Sequence, residues 1–304
     1  SLTDNSKLSN IQTITANASG SSIDLTNQTE AFTIDGAAGT DVLKGGSGND
    51  IITGKAGTDN LTGGSGNDTF NVDSGTDTIT DLGTGSDILV VSSGATANAT
   101  NVSSFTATSA TRNSGTATIN SVAGGSTVDM SSSGLGGFTL TGNAGVDNLT
   151  GGSNNDIITG AGGNDIIIGG AGNDTITGGA NNDSLTGSAG NDTFNVDSGT
   201  DTITDLGTDN DVLVVSSGAT ANATNVSSFT ATSGTSNSGT ATLTAASGGG
   251  TINMALSSSG AYSLTGAGGA DNLTGGSGAD IITGNNGNDT LSGEGGNDII
   301  TGGA

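Results

Sequence analysis

The sequence predicts an all-β protein of stacked parallel coils with almost no helix. Gly and Asp recur every nine residues in three blocks, and β-branched residues alternate with small ones between the blocks. No stretch shows a convincing apolar period of about 3.6 residues, and glycine interrupts every helical candidate. Strands and turns are therefore the elements that this chain is expected to form.

Composition limits the classes of protein that fit. The 304 residues include 57 Gly and no Pro, Cys, His or Trp, and aromatic residues make up 2% of the chain. Such a chain cannot build one large hydrophobic core. Without Cys the chain has no disulfide and no thiol nucleophile, and without His it lacks the commonest transition-metal ligand. Nothing resembles a signal peptide or a membrane span, and because the first residue is Ser1 we expect a fragment or a processed chain.

The formal net charge of −25 comes from 29 acidic residues set against four cations. Almost all of the acid is aspartate, since Glu30 and Glu294 are the only glutamates. Repulsion of this size favours disorder unless a cation neutralises the carboxylates. The same charge argues against nucleic acid and anionic membranes as partners.

Two periods organise the chain. Residues 66–109 recur at 190–233 with three differences, which indicates a duplicated building block. The short period of nine places one aspartate in every repeat of the three blocks: Asp41, Asp50, Asp59, Asp68, Asp147, Asp156, Asp165, Asp174, Asp183, Asp192, Asp271, Asp280, Asp289 and Asp298.

Each repeat is interpreted as a six-residue turn followed by a three-residue strand. In residues 45–53 the glycines permit positive φ in the turn, and Ile52 points away from Ile51 and Thr53 in the strand. Two successive repeats, with their two strands and two turns, close one coil, and stacked coils bury the apolar residue of the eighth place. That residue is Leu43, Ile52, Leu61, Phe70, Leu149, Ile158, Ile167, Ile176, Leu185, Phe194, Leu273, Ile282, Leu291 or Ile300.

The segments between the blocks are rich in Thr, Ser, Ala and Val. Alternating runs at 116–119 and 240–243 predict strands, and we expect small β-rich modules of sandwich-like or extended-sheet type there. The last block stops at Gly302-Gly303 and is expected to be truncated. The predicted domains are the end of a β-rich module (1–35), a first repeat block (36–72), a cap and β-rich module (73–141), a second block (142–196), a second cap and module (197–265) and a third block (266–304).

Stacking places aspartates that are two repeats apart on the same edge of adjacent coils. A strand spacing of about 4.8 Å brings their carboxylates close enough to share one cation. Ca²⁺ takes 6–8 oxygen ligands at about 2.3–2.6 Å in flexible geometry, whereas Mg²⁺ demands a stricter octahedron. We therefore predict several bound calcium ions, on which folding of the chain depends.

The pattern Gly-Gly-x-Gly-x-Asp-x-apolar-x resembles the repeats-in-toxin (RTX) family, whose blocks form calcium-binding parallel β-rolls. The resemblance repeats fourteen times in register and covers all three blocks. It implies that each ion is shared by aspartates two repeats apart. Those pairs are Asp41–Asp59, Asp50–Asp68, Asp147–Asp165, Asp156–Asp174, Asp165–Asp183, Asp174–Asp192, Asp271–Asp289 and Asp280–Asp298.

The resemblance also implies that backbone carbonyls of the first and third turn positions complete each site. Asn154 and Asn181 replace the fourth-position glycine, and Lys55, Ala161 and Ser188 replace the second; we expect the asparagine sites to be kept but weaker, and Lys55 to reduce local affinity. The carbonyl candidates are Gly36, Ala38, Gly45, Ser47, Gly54, Ala56, Gly63, Ser65, Gly142, Ala144, Gly151, Ser153, Gly160, Gly162, Gly169, Ala171, Gly178, Ala180, Gly187, Ala189, Gly266, Gly268, Gly275, Ser277, Gly284, Asn286, Gly293 and Gly295.

The nine-residue spacing breaks after Phe70 and Phe194. The stretch 77–82 resembles the closing segment of RTX blocks, which covers the open edge of the last coil. The alternative is a solvated acidic hairpin. Further candidate calcium ligands in these closing segments are Asp77, Asp81, Asp87, Asp201, Asp205 and Asp211.

These patterns favour an extracellular bacterial structural protein, such as a surface layer, filament or adhesin stalk, that folds and stiffens on binding calcium. We expect self-association, no enzymatic activity, no membrane insertion, and a cell-surface polysaccharide anchor outside this fragment as a further partner. The resemblance implies export by type I secretion. The alternatives are a carrier region of a larger secreted toxin or hydrolase and an ice- or carbohydrate-binding adhesin that uses the outward threonines. Capping of the turns by aspartate without metal is the simplest competing explanation of the aspartate columns.

Overall fold

The computed structural model describes residues 11–17, 20–207 and 209–304, so that residues 1–10 of the predicted first segment lie outside the described part. The described residues form strands, turns and irregular segments without a helix, which confirms the all-β class. Among them, no helix has the length and apolar character needed to cross a membrane. The chain divides into two compact units, Ser1–Asn143 with Asn148–Asn154, and Ala144–Asp147 with Asn155–Ala304.

The first unit is built from short strands separated by turns. Its described strands are β1 (Thr13–Thr15), β2 (Ser22–Asp24), β3 (Thr33–Asp35), β4 (Val42–Lys44), β5 (Ile51–Thr53), β6 (Asn60–Thr62), β7 (Thr69–Val72), β8 (Thr76–Ile79), β9 (Ile88–Val91), β10 (Thr96–Val102), β11 (Ser104–Thr106), β12 (Arg112–Asn113), β13 (Thr116–Ser121), β14 (Thr127–Asp129), β15 (Thr139–Thr141) and β16 (Asn148–Thr150).

Alternate strands of the first unit belong to different sheets, as expected for a coil that crosses from one face to the other. One sheet has the order β1-β3-β5-β7-β9-β12, a second runs β2-β4-β6-β8-β10-β13-β15, and a third runs β11-β14-β16. Neighbours pair in parallel, for example β3 with β5 and β10 with β13. Because each strand pairs with its counterpart one coil away, the unit is a parallel β-solenoid.

The second unit repeats this architecture. Its described strands are β17 (Ile157–Gly162), β18 (Ile166–Ala171), β19 (Thr175–Ala180), β20 (Ser184–Ala189), β21 (Thr193–Val196), β22 (Thr200–Ile203), β23 (Val212–Val215), β24 (Thr220–Val226), β25 (Ser228–Thr230), β26 (Ser236–Asn237), β27 (Thr240–Ala245), β28 (Thr251–Asn253), β29 (Ser263–Thr265), β30 (Asn272–Thr274), β31 (Ile281–Asn285), β32 (Thr290–Ser292) and β33 (Ile299–Gly303).

Its sheets again collect alternate strands in parallel. Their orders are β17-β19-β21-β23-β26, then β18-β20-β22-β24-β27-β29-β31-β33, and finally β25-β28-β30-β32. The hydroxyl groups of Thr186 and Thr204 lie 2.8 Å apart on adjacent strands, as do those of Thr62 and Thr80 in the first unit. These outward threonines join neighbouring coils by ordinary cross-strand hydrogen bonds.

The core follows the eighth place of the repeat. Phe70, Ile158 and Phe194, for example, are completely buried between the sheets. Ile300 departs from this pattern: it lies on β33, at the end of its sheet order, and is 48% exposed. The repeats therefore bury one large apolar side chain per strand, which makes a thin core.

The segments between the repeat blocks do not confirm the expected sandwich-like or extended-sheet modules. Their strands join the same parallel sheets as the repeats, so that β8 pairs with β10 and β10 with β13. In the repeat coils, pairing partners such as Ile51 and Thr69 are separated by two repeats. The intervening coils are longer, because Thr96 pairs with Thr116 and Ser104 with Thr127. The six predicted domains, with their boundaries, stay a prediction.

Candidate metal centre

In the turn 63–68 the three glycines serve different purposes. In the turn 63–68, Gly64 and Gly66 have φ values of 105° and 125°, a region that side chains rarely adopt. Gly63 has no such φ, but a β-carbon there would lie 2.7 Å from Cγ of Asp68. The first glycine therefore leaves room beside the aspartate, and the other two allow the backbone to bend around it.

The aspartates of the blocks stand in columns along the turn edge. The backbone N–H of Asp50 donates to Oδ1 of Asp68, one coil further on, at 2.8 Å. This contact joins every pair implied by the sequence, at 2.8–3.0 Å in Asp41–Asp59, Asp50–Asp68, Asp147–Asp165, Asp156–Asp174, Asp165–Asp183, Asp174–Asp192, Asp271–Asp289 and Asp280–Asp298.

The columns are buried although they consist of carboxylates. Asp41 and Asp147 are 0% exposed, and Asp183, at 3%, is the most exposed member within the first two blocks. Asp289 and Asp298, in the last coils of the third block, are half-buried. Burial of a charged carboxylate costs several kcal/mol, so each stack needs either protonation or a compensating positive charge.

The second carboxylate oxygen of the inner aspartates is buried and has no hydrogen-bond partner. Oδ1 is occupied by the N–H of the previous coil, which leaves Oδ2 facing the turn interior without a donor. These atoms are the Oδ2 oxygens of Asp59, Asp68, Asp77, Asp165, Asp174, Asp183 and Asp201. Buried acceptors without partners are rare in native proteins and indicate that a ligand or ion completes them.

Oxygen atoms of successive coils lie close together beside the first glycine of the turn. A β-carbon built on Gly54 would lie 2.5 Å from Oδ2 of Asp59 and 2.7 Å from Oδ2 of Asp77, two oxygens from successive coils. In the second block, a β-carbon on Gly169 would lie 2.7 Å from the carbonyl oxygen of Gly187. Two carboxylate oxygens, or a carboxylate and a carbonyl oxygen, thus lie close together beside the first-position glycine, and Ca²⁺ prefers such hard oxygen ligands.

Burial raises the pKa of these carboxyl groups, with a smaller contribution from the neighbouring carboxylates. It raises the pKa of Asp68, Asp77 and Asp174 to about 7, and that of Asp165 to about 6. The carboxylates are therefore poorly compensated by the protein itself, and a bound cation would favour their charged form.

The outermost coils use the same oxygen differently. Oδ2 of Asp50 accepts the N–H of Gly46 at 2.9 Å, and Oδ2 of Asp280 accepts that of Gly276 at 2.7 Å. In these turns the N–H of the second position stabilises the carboxylate in place of a cation. Capping of the turn without metal therefore describes the edges of the blocks, but not the inner coils, whose Oδ2 atoms have no such donor.

The carbonyls of the first and third turn positions differ in their surroundings. The first-position carbonyl of Gly178 lies 2.5 Å from a β-carbon built on Gly160, in the same space as the aspartate oxygens. The third-position carbonyl of Ala56 accepts the N–H of Gly39 at 2.7 Å, and that of Ala189 accepts the N–H of Gly172 at 2.8 Å. First-position carbonyls face the site, whereas these third-position carbonyls already join adjacent coils through one lone pair.

Residues that replace glycine keep the shape of the turn. Lys55, Ala161 and Ser188 occupy the second position with φ of 70°, 76° and 76°, and Asn181 occupies the fourth with φ of 84°. Each accepts the left-handed conformation that its glycine counterparts adopt. The departures from the repeat pattern thus leave the backbone path unchanged at these positions.

The closing segments divide their aspartates between two roles. The N–H of Asp59 donates to Asp77 at 3.1 Å, and the N–H of Asp68 donates to Asp87 at 2.9 Å, so the column continues past the repeats. Asp201 and Asp211 continue the second column in the same way, at 3.0 Å from the N–H groups of Asp183 and Asp192.

Asp81 and Asp205 instead cap the last repeat turn. Asp81 accepts the N–H groups of Gly63 and Gly64 at 2.9 and 2.6 Å, and Asp205 accepts that of Gly187 at 3.0 Å. These two aspartates satisfy backbone donors of a turn edge. The closing segment is therefore a covering coil rather than a solvated hairpin.

The fifth-position asparagine forms a second column that the sequence analysis did not assign. Oδ1 of Asn49 accepts the N–H of Asn67 at 2.9 Å, and Oδ1 of Asn155 accepts that of Asn173 at 2.7 Å. Asparagine reaches forward to the next coil, whereas the adjacent aspartate reaches back. The recurrence of Asn-Asp in successive repeats was the available signal for this pairing.

The donor set of the inner turns suits calcium. Hard oxygen atoms from two carboxylates and from backbone carbonyls surround each gap. Within the described ranges, no group of three or more acidic side chains has the spacing of a complete ligand cluster. Each site is therefore expected to combine side-chain with backbone oxygens.

Comparison with known families agrees with this geometry. The RTX calcium-binding nonapeptide repeat family matches at residues 33–61, 44–79, 141–176, 168–203 and 265–300, just under half of the chain. The matches coincide with the aspartate columns, and the repeats together with the parallel solenoid fit the RTX β-roll family. RTX repeats bind Ca²⁺ and are typical of secreted proteins. No curated protein matches the chain.

Proposed function

We propose that the protein is an extracellular structural protein whose parallel coils are locked by calcium bound along the turn edge. The observation that carries this proposal is the row of buried Oδ2 atoms without partners in each unit. A divalent cation between successive coils would compensate two carboxylates at once, which no donor of the protein does there.

Each site is assigned to the column aspartates of two successive coils and to first-position carbonyls. For the gap beside Gly54, the ligands are Oδ2 of Asp59 and Oδ2 of Asp77. Calcium supplies positive charge there, and the protein supplies a preformed backbone turn. Third-position carbonyls such as that of Ala56 complete the coordination with their remaining lone pair.

Binding and folding are linked because the ligands of one site come from two coils. Stacking of folded coils brings aspartates that are two repeats apart into contact, and the unfolded chain holds no such pair. Sites of extracellular modules fill at about 10⁻⁴–10⁻³ M calcium. The repeat blocks are therefore proposed to remain unfolded at low calcium and to fold after export, by type I secretion.

A structural role is favoured over catalysis because all inner turns share one arrangement. The carboxylate pairs repeat in register with the same backbone partners, and none has a distinctive neighbour such as a nucleophile. The duplication of 66–109 at 190–233 then supplies a building block of a surface layer, filament or adhesin stalk. Self-association of these blocks is part of the proposal.

Calcium titration of chelated protein tests the linkage. We expect the strand signal in circular dichroism to appear cooperatively with calcium, and Mg²⁺ at the same concentration to be a poor substitute. Calcium bound per chain, measured by atomic emission after dialysis, should rise over the same range. A spectrum that does not change between chelator and millimolar calcium would contradict the folding claim.

Electron microscopy of the same samples tests the structural role. Lattices or filaments that form in calcium and disappear on chelation support a structural protein. Dispersed particles under both conditions contradict self-association and favour the carrier region of a larger secreted protein.

A further inference from the structure

The closing turn of each block differs from all the turns before it. Val72 and Asp73 occupy the first two positions of the turn that leads to Asp77, where the repeat has two glycines. The same replacement occurs in the duplicated copy, with Asp197 in the second position before Asp201. A third carboxylate thus enters the last turn beside each pair of column aspartates.

In the first unit, three buried oxygens without hydrogen-bond partners belong to this group. They are Oδ2 of Asp59, Oδ2 of Asp77 and Oδ1 of Asp73. The column residues Asp59 and Asp77 are 2% and 0% exposed, and their oxygens face the gap beside Gly54. The residue after Gly54 is Lys55, and its Nζ lies 3.8 Å from Oδ2 of Asp73, which places the third carboxylate beside the same gap.

The two copies of this turn differ at one neighbouring residue. In the first copy, Nζ of Lys55 lies 3.8 Å from Asp73 and 3.6 Å from Asp35, so an ammonium group already compensates the third carboxylate. In the second copy Gly179 stands in place of Lys55 and donates its N–H to Oδ1 of Asp197 at 3.1 Å. No ammonium stands at that position in the second copy.

We propose that the closing turn of the second unit, formed by Asp183, Asp197 and Asp201, is a tighter calcium site than those of the inner turns. We further propose that Lys55 weakens its counterpart, formed by Asp59, Asp73 and Asp77. The third carboxylate acts through its charge near the ion and does not need to be a ligand, in keeping with the absence of a complete three-acid cluster among the described residues. A negative charge close to the ion attracts it whether or not that group is a ligand, so an uncompensated third carboxylate raises the calcium affinity.

This inference rests on the proposed binding of calcium by the column aspartates. If it holds, the second unit retains an ion at free calcium concentrations that empty the inner turns. The closing turn would then hold a coil in place while neighbouring coils fill, and folding of the block would begin at this end.

Calcium binding by the whole chain in buffers of graded free calcium tests the proposal. The variant Asp197→Asn removes the third charge but keeps an oxygen that accepts the N–H of Gly179. We expect the tightest bound ion to weaken about tenfold, because one nearby negative charge is lost, while the remaining ions bind as before. Asp129→Asn is the control for loss of one charge away from the column.

The complementary variant is Lys55→Gly, which gives the first copy the residue of the second. We expect a further tight ion per chain, because the carboxylate of Asp73 is released from its ammonium partner. In the background of Asp73→Asn the same change should have no effect, since the lysine acts through that carboxylate. Circular dichroism in saturating calcium verifies that each variant is folded.

The outcomes separate the two levels of the claim. If the wild-type chain binds several ions but Asp197→Asn leaves the tightest one unchanged, the closing site is wrong and the proposed function stands. Equal affinities for Lys55→Gly and the wild-type chain would also overturn the role of Lys55. If the wild-type chain binds no calcium, the proposed function itself fails.

Discussion

The repeat blocks and the segments between them share one parallel coil but fill its turn edge with different chemistry. In the register of the second sheet, Asp77 is followed by Ala97 and then Ala117, and Asp201 is followed by Ala221 in the second unit. A column of carboxylates thus continues as a column of methyl groups. Alanine needs no counter-ion, so the longer coils bury apolar side chains where the repeats bury charge.

This difference separates two sources of stability. Under the proposed function the repeat coils depend on bound calcium, because their buried Oδ2 atoms have no compensating donor in the protein. The intervening coils bury side chains such as Phe105, Ile119 and Met130, which contribute without calcium. Each block therefore lies next to coils that can remain ordered when calcium is absent.

The largest expected effect is that of calcium removal. Hydrogen exchange of the chelated protein should show loss of protection in β17 to β20, whose turns carry unpaired carboxylates. Protection in β24 and β27 should persist, because these strands belong to coils with alanine in the column. Equal loss of protection in both sets of strands would show that the whole unit folds cooperatively. The two kinds of coil would then not differ in their dependence on calcium.

The next largest effect is expected from the paired substitution Asp165→Asn and Asp174→Asn. Each aspartate serves two predicted sites, so calcium stoichiometry should fall, and each lost ion removes about 2.7 kcal/mol at 100-fold excess over its Kd. In chelator the sign should reverse, because buried unpaired charges have been removed.

Denaturant unfolding with and without calcium measures the change in unfolding free energy of the paired variant under both conditions. Asp129→Asn serves as the control outside the column. Unchanged stoichiometry in the paired variant would contradict sharing between aspartates that are two repeats apart.

A moderate effect is expected from pH in the absence of calcium. Burial raises the pKa of Asp77 and Asp201 from 3.8 to about 7, so the folded chain holds more protons than the unfolded chain between these values. The calcium-free fold should be most stable below about pH 4 and lose stability as the pH rises towards about 7.

Circular dichroism of chelated protein should therefore show more strand at about pH 5 than at about pH 7.5. With calcium bound the dependence should reverse, since protons compete with the ion for the same oxygens. A calcium-free signal that does not vary over this range would show that the carboxylates are compensated without calcium.

The smallest effect is expected from Thr186→Val on the outer face. The change removes one hydroxyl–hydroxyl hydrogen bond with Thr204 and should cost about 0.5–1 kcal/mol in calcium and in chelator alike. Thr242→Val, in the coils with alanine columns, is the control, because the same change there removes no hydroxyl–hydroxyl bond. If the loss of unfolding free energy in either variant depended strongly on calcium, the outer face would be coupled to the turn edge. The distinction between calcium-dependent repeat coils and calcium-independent intervening coils would then be weaker.

The sequence predicted the repeat coils closely because their information is local. The nine-residue period sets the place of each aspartate, of the apolar eighth residue and of the glycine turns, so the pairing of Asp50 with Asp68 follows from counting. The continuation at Asp77 was also visible, since its distance from Asp59 is again two repeats. Asp87 lies one position beyond the place that this spacing assigns after Asp68, and that extra residue hides its membership of the column.

The intervening segments were less predictable because they have no fixed period. The alternation of Thr with apolar residues in 116–119 fits a strand of a sandwich as well as a strand of a solenoid. The structure forms the solenoid strand, because the unpaired strand edge of the last repeat coil pairs in parallel with the next strand, as β8 does with β10.

By itself, then, the sequence determined the class of fold, the aspartate columns and the use of calcium, all of which repeat at short range. Only the tertiary structure decided that the intervening segments extend the solenoid, that Asp81 caps a turn, and that Lys55 lies between Asp35 and Asp73. These contacts join residues of successive coils through the stacking of the strands. Their register is set by backbone pairing across the sheet, and no local pattern specifies it.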